Sequence, residues 1–411
     1  MTAETEKILT KFAELLVRKG VNLQKGQLLV ITSDVQNAGF VNLVTDAGYA
    51  AGASEVAVLW NDEYNIKQLY LHAADFVFDE VPGWVQARYD YFSGRDACYV
   101  QIVSDDPELL KDASPDKVSR KRTANAKANE RWRKQTMSSE VRWSIAALPS
   151  PAWAAKVFPG VPAGEAEQKL WKLMAKCSRI DNDDPIAAWD KHNDNFQARL
   201  NFLNERKIKQ LRYKNSLGTD LTVEIPEAAV WIGGGEPAKD GVMFFPNIPT
   251  EEIYTMPKRN GVNGRVVASK PLINAGHQID GLELTFKDGR VTESTAKTNA
   301  ELLAQLIDTD EGSHYLGEVA LVPYHSPISE TGTLFYHTLF DENAACHFAI
   351  GRAYPTCLAG SDNMTDAQLA EAGANHSLVH VDFMVGTPDL SITAIDKDGN
   401  EIAIFTDGDF S

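Results

Sequence analysis

Between residues 4 and 104, short apolar runs alternate with longer amphipathic stretches, and that order leaves few folds open. Residues 4–19 place Ile8, Leu9, Phe12, Leu15 and Leu16 on one helical stripe, with Gly20 positioned to end it. An apolar run at 27–33 (QLLVITS) follows, then a helix-like stretch at 37–51, then a second apolar run at 55–60 (EVAVLW). Strand, helix, strand is the start of an open α/β sheet. Residues 65–78 and 83–90 read as helices, 97–104 (ACYVQIVS) as a third strand and 144–148 as a fourth. No G-x-G-x-x-G follows the first strand, so a dinucleotide site is not expected.

The pattern then changes. Pro149, Pro151, Pro159 and Pro162 punctuate one stretch, and 165–177 and 185–207 read as helices. From 208 to 225 the residues alternate around Leu217-Gly218-Thr219-Asp220, a hairpin signature. Residues 279–291, turning at Asp288-Gly289, and 391–405, turning at Asp398-Gly399, predict two more hairpins. A chain of 411 residues exceeds what one core usually holds. We therefore expect an N-terminal α/β domain over 1–206, built on an open sheet, and an α+β domain rich in antiparallel strand over 207–411.

Charge narrows the partners. A formal net charge of −17 argues against nucleic acid, whose affinity comes mostly from clustered cations. The one basic stretch, 117–134 (KVSRKRTANAKANERWRK), reads as a solvated helix face with Trp132 packed inward; the alternative is pairing with an acidic surface of another subunit. No stretch of about 18 apolar residues suggests a membrane span, and no signal-like segment opens the chain, so the expected location is cytoplasmic. Cys98, Cys177, Cys346 and Cys357 have no metal-site or disulfide spacing. Cys346 precedes a histidine and resembles a nucleophile, yet a buried apolar role is the expectation.

The chemistry gathers in the second half. Four of nine histidines (His337, His347, His376, His380) lie between 335 and 384, among Asp341, Glu342 and Asp382. His380 and Asp382 are two apart in an apolar run, so on a strand they share one face. An imidazole beside a carboxylate between apolar walls suits a borderline divalent ion, although such pairs also occur as simple hydrogen bonds. Glu318 stands alone in the apolar run GEVALV, where a cation would neutralise it. Glu251 and Glu252 are adjacent among apolar flanks; in an extended chain only one can enter a given site. Glu342 and His347, five apart, would meet only if the segment between them bends. Gly233-Gly234-Gly235 lacks a following Lys-Ser/Thr and reads as a flexible loop.

The motifs NIPTEEIYTMP, LGEVALVP, TLFDENAACHFAIGRAY and NHSLVHVDFMVG, in that order, resemble those of the aminopeptidase T / aminopeptidase S family of dinuclear metallo-aminopeptidases. The resemblance implies metal ligands at Glu252, Glu318, Glu342, His347, His380 and Asp382, with Tyr354 as a catalytic side chain. Glu318 would bridge two divalent ions (Zn, Co or Mn), Glu252 and His347 completing one site, Glu342, His380 and Asp382 the other. It also implies a homodimer acting on peptides with a free N-terminus. The expected chemistry is attack by a hydroxide held between two ions, with Tyr354 donating to the oxyanion. No general base is identifiable; Glu251, facing away from Glu252, is a weak candidate. Absence of HExxH excludes the commonest single-zinc protease helix. The alternatives are another dinuclear amide or ester hydrolase, or a binding protein with salt-bridged carboxylates. His376 and Arg352 depart from the family pattern; His376, His325 and His337 are expected to be structural.

Overall fold

The apolar runs of the first half are parallel strands. Leu28–Asp34, Glu55–Asn61, Ala97–Val103 and Trp143–Ala147 form one sheet, in the order Trp143–Ala147, Ala97–Val103, Leu28–Asp34, Glu55–Asn61. Central strands of a parallel sheet are covered on both faces, which is why they read as unbroken apolar runs. Leu28–Asp34 is buried almost throughout, whereas the edge strand Glu55–Asn61 is half-exposed. Helices Ala3–Leu15 and Ala38–Ala50 supply Phe12, Phe40 and Val44 to a core with Leu29, Ile31, Val100, Ile102 and Trp189. A fifth strand was not anticipated: Asn247–Ile248 pairs in parallel with Trp143–Ala147, Ile248 opposite Ala146.

The structure described here is a computed structural model covering residues 3–274 and 277–411. It separates into two units: Met1–Lys191 with Gly235–Pro249, and His192–Gly234 with Thr250–Ser411. The division falls near the start of helix Pro185–Arg206, upstream of the expected break at 206, and the chain re-enters the first unit at 235–249.

Within the first unit the basic stretch forms two helices, Pro115–Ala128 and Glu130–Met137. Arg120 pairs with Asp75, Asp79 and Asp116, and Trp132 meets Tyr99 edge-on at 5.9 Å. At the carboxyl end of the sheet, burial and the neighbouring Asp105 and Asp62 push the Asp34 carboxyl up to about 6.

The second unit is antiparallel. An eight-stranded sheet contains the expected hairpins: Ile208–Lys214 with Asp220–Glu224, Glu283–Lys287 with Arg290–Thr295, and Ser391–Asp396 with Glu401–Thr406. A five-stranded sheet runs His380–Met384, His347–Gly351, Leu316–Leu321, Ile253–Thr255, Ile232–Gly233. The two sheets share one apolar core, across which Tyr213 meets Phe348 at 5.0 Å. Among the described residues no helix is long and apolar enough to cross a membrane.

Candidate metal centre

Strand alternation divides the five-stranded sheet into an apolar face and a ligand face. Ile253, Val319, Leu321, Phe348, Ile350, Val381 and Phe383 enter the core. The residues between them, including Glu252, Glu318, His347, His380 and Asp382, therefore share the opposite face. Cross-strand register tightens the group: Glu318 is opposite Ala349, which is opposite Asp382, and Gly351 is opposite His380. Ala320, opposite His347, Ala349 and Gly351 are small, so they leave volume above the sheet between the long polar side chains.

Glu318 occupies the middle of this face. Its Oε1 lies 3.4 Å from His347 Nε2 and its Oε2 lies 3.7 Å from His380 Nε2, one oxygen toward each ring. Glu252 Oε2 lies 3.0 Å from His347 Nε2, and Asp382 Oδ1 lies 3.4 Å from His380 Nε2. Two trios result, Glu252–Glu318–His347 and Glu318–His380–Asp382, each with ligand atoms within 4.8 Å of one another.

The hydrogen bonding fits a cation better than it fits plain salt bridges. Each imidazole donates Nδ1–H to a backbone carbonyl, His347 to Ala345 at 3.0 Å and His380 to Arg352 at 2.7 Å. A carbonyl can only accept, so in the neutral ring, the form that binds a cation, the lone pair is on Nε2, facing the carboxylates. Nε2 of His347 and Oδ1 of Asp382 are buried and make no well-directed hydrogen bond. Buried polar atoms of this kind ordinarily have a partner, and a hard or borderline divalent ion supplies one for both nitrogen and oxygen donors.

Side-chain electrostatics agree. Burial pushes Glu318 up, and it pushes Glu342 well up, with Glu252 and Asp382 adding repulsion. Burial opposes the charging of His380, but Asp382 and Glu318 outweigh it and hold the ring at about 9. Protons and a divalent cation would thus compete for the same atoms.

Glu342 reaches the cluster through the bend its spacing required. Thr338–Asp341 is one helical turn and Glu342–Ala344 a 3-10 turn; Ala345 is extended, and the strand starts at His347. Glu342 is half-buried and lies within the field of Glu252, Asp382, His347 and Glu318, although it belongs to neither trio. Asn343 secures the bend: its Oδ1 accepts from the Glu251 amide at 2.7 Å, and its Nδ2 donates to Leu339 O at 3.2 Å and to Glu342 Oε1 at 3.4 Å. Glu251 is buried beside His192, with Oε2 3.6 Å from Nε2.

Tyr354 sits edge-on to His380, ring centroids 4.9 Å apart, and 5.9 Å from Tyr254. Burial and then the charges of Glu318 and Asp382 push its hydroxyl well up, so it stays a protonated donor. Arg352 donates to His376 Nε2 at 2.8 Å, and exposed His376 is in neither trio. His325 pairs with Asp409, and His337, which burial pushes down to about 4, accepts the Leu339 amide at its Nδ1. Burial raises the Cys346 thiol to about 12 and it bonds to the Val322 backbone, which removes it as a nucleophile.

Gly233 has a role the sequence reading missed. Ile232–Gly233 is a short strand rather than a flexible loop, with Gly233 opposite Ile253. A Cβ at 233 would lie 2.4 Å from the Glu252 carbonyl oxygen, so glycine is needed for the approach. The glycine triplet was the available signal.

Fold and site define a class: a protein whose antiparallel sheet carries a cluster of carboxylates and imidazoles able to hold a divalent cation. The chain matches the thermophilic metalloprotease (M29) family over residues 5–410 and belongs to that family. It is 43% identical over 406 residues to Aminopeptidase 2 of Geobacillus stearothermophilus, covering 99% of this chain and 98% of the relative. It is 38% identical to Aminopeptidase T of Thermus aquaticus, covering 99% of each. Its fold resembles the structure of wild-type AmpT from Thermus thermophilus, with a TM-score of 0.91, 36% identity and coverage of 98% and 99%.

Proposed function

We propose that this chain is a metallo-aminopeptidase that releases N-terminal residues from peptides, using two divalent ions (Zn, Co or Mn) held by Glu252, Glu318, Glu342, His347, His380 and Asp382. The observation that carries the reading is Glu318, buried and offering one oxygen to each histidine. Glu252 and His347 lie to one side of it, His380 and Asp382 to the other, and Glu342 adjoins both.

A bound pair of divalent ions supplies Lewis-acid polarisation of the scissile carbonyl and an acidified water. The chain's own residues do the rest. Nδ1–H bonds to Ala345 and Arg352 keep each ring's donor nitrogen pointed into the cluster. The Tyr354 hydroxyl, kept protonated by its surroundings, donates to the oxygen that gains charge in the transition state. A free substrate α-amine, cationic in water, is drawn to the cluster's carboxylates; an internal peptide bond has no such charge, which accounts for exopeptidase action.

We also read the protein as a homodimer. Trp84, Tyr64, Phe76 and Tyr91 of the first unit are more than half exposed, an unusual outlay of aromatic surface for a monomer.

Aminoacyl-anilides test the activity. Hydrolysis is expected to stop on N-acetylation of the substrate, to stop on chelation, and to return with added Zn, Co or Mn. Turnover that survives either acetylation or exhaustive chelation would overturn the reading.

A further inference from the structure

Asn375 is buried, carries no charge and lies five residues before a proposed ligand. It joins three segments of the second unit. Its Nδ2 donates to Gly351 O at 2.6 Å and to Gly312 O at 2.8 Å. Its Oδ1 accepts Arg259 Nε at 3.1 Å, and its backbone carbonyl accepts the Ala353 amide at 2.9 Å. The side-chain amide thus has partners on both its oxygen and its nitrogen, and they cannot be exchanged by flipping it. Arg259 is itself packed on the Tyr315 ring at 3.8 Å, so the acceptor side is braced.

Arg352 lies between the two residues Asn375 grips. Its amide donates to Val379 O at 2.8 Å and its carbonyl accepts His380 Nδ1–H at 2.7 Å. The direction of that carbonyl therefore sets the rotation of the His380 ring. Gly351 and Ala353, on either side, are the two residues held by Asn375, so the carbonyl between them has little freedom. Tyr354 follows directly, and its ring packs against His380. The backbones approach too closely for slack. A Cβ at Gly312 would fall 1.8 Å from His376 O, and one at Gly351 would fall 2.2 Å from Val379 O. Asp310 fixes the other end of the loop by accepting from Ser377 Oγ at 2.8 Å and the Leu378 amide at 2.6 Å.

We infer that Asn375 is a positioning residue for the His380 side of the centre, fixing the Arg352 carbonyl that orients His380 and setting Tyr354 against it. The inference rests on the metal reading above. Asn375 touches no proposed ligand side chain; it acts through the main chain.

Metal-free protein titrated with Zn²⁺ or Co²⁺ by calorimetry tests this, together with the visible spectrum of the cobalt form. In Asn375→Ala one ion is expected to bind about 10- to 100-fold more weakly, as for other outer-sphere partners, while the other binds as before. The cobalt bands of the weakened ion should shift, and kcat should fall more than KM rises. Two ions bound as in the unsubstituted protein with unchanged bands would overturn the inference, as would equal weakening of both in a folded variant. If Asn375→Ala does not fold, Arg259→Leu decides by the same criteria with a smaller expected change, because it removes the brace and leaves the amide. An unsubstituted protein that takes up no ion defeats the proposed function itself, and this inference with it.

Discussion

A carboxylate on a buried strand is tolerated only where something compensates its charge, and Glu318 shows what that means for one side chain. Its neighbours Gly317, Val319 and Ala320 are buried and apolar, and its two oxygens each face the Nε2 of an imidazole. Replacing it by Gln keeps the shape and removes the charge. Glu318→Gln is expected to lower kcat at least about 100-fold, beyond the usual cost of losing an outer-sphere partner. Because the charge-burial cost also disappears, thermal unfolding should stay within a few degrees of the original or rise. Retained turnover refutes the shared role of this residue. His380 and Asp382 were legible in the sequence because a strand repeats every two residues, so spacing alone put them on one face. Glu342 and His347 were not, since a 3-10 turn that starts at Glu342 and the extended Ala345 separate them. Asn343 and Asn375 gave no signal at all, because a buried asparagine bonded to backbone looks like any loop asparagine.

Among elements, the strand Leu28–Asp34 ends in a second buried carboxylate with different consequences. Asp34 meets Asp105 and Asp62 at the carboxyl edge of the parallel sheet, and burial followed by these charges raises it from 3.8 to about 6. A group whose folded value is raised holds its proton longer in the folded state. Its stabilising contribution is complete below about pH 4 and is lost as pH rises through about 6. Asp34→Asn mimics the protonated form. It should be near neutral for stability at pH 4 and stabilise by about 1–3 kcal/mol at pH 8, the two-unit shift setting the upper figure. Denaturant melts at the two pH values check this, and equal effects at both would sink it. The strands that the sequence revealed were long apolar runs or hairpins with Asp-Gly turns, where Asp288 and Gly289 both take the positive φ such turns need. Asn247–Ile248 was hidden because two residues carry no periodicity; only its partner, Trp143–Ala147, makes it a strand.

For the molecule as a whole, the open question of assembly falls on the aromatic surface of the first unit. Trp84 is 68% exposed and Tyr64 71%, values that a shared interface would reduce. Sedimentation should give twice the chain mass of 45.2 kDa, and Trp84→Asp combined with Tyr64→Asp should shift the protein toward the single-chain mass. A single-chain mass for the unsubstituted protein, or no shift in the double variant, removes that surface from consideration. The return of 235–249 to the first unit left no mark in the sequence, because it depends on pairing between distant residues. One detail of the centre also bears on how such a protein can diversify. Both imidazoles are tethered to peptide oxygens, of Ala345 and Arg352, which every amino acid provides. The side chain at 352 is therefore open to replacement without loosening the ring it anchors. Position 352 can thus take many side chains while the His380 ring stays in register.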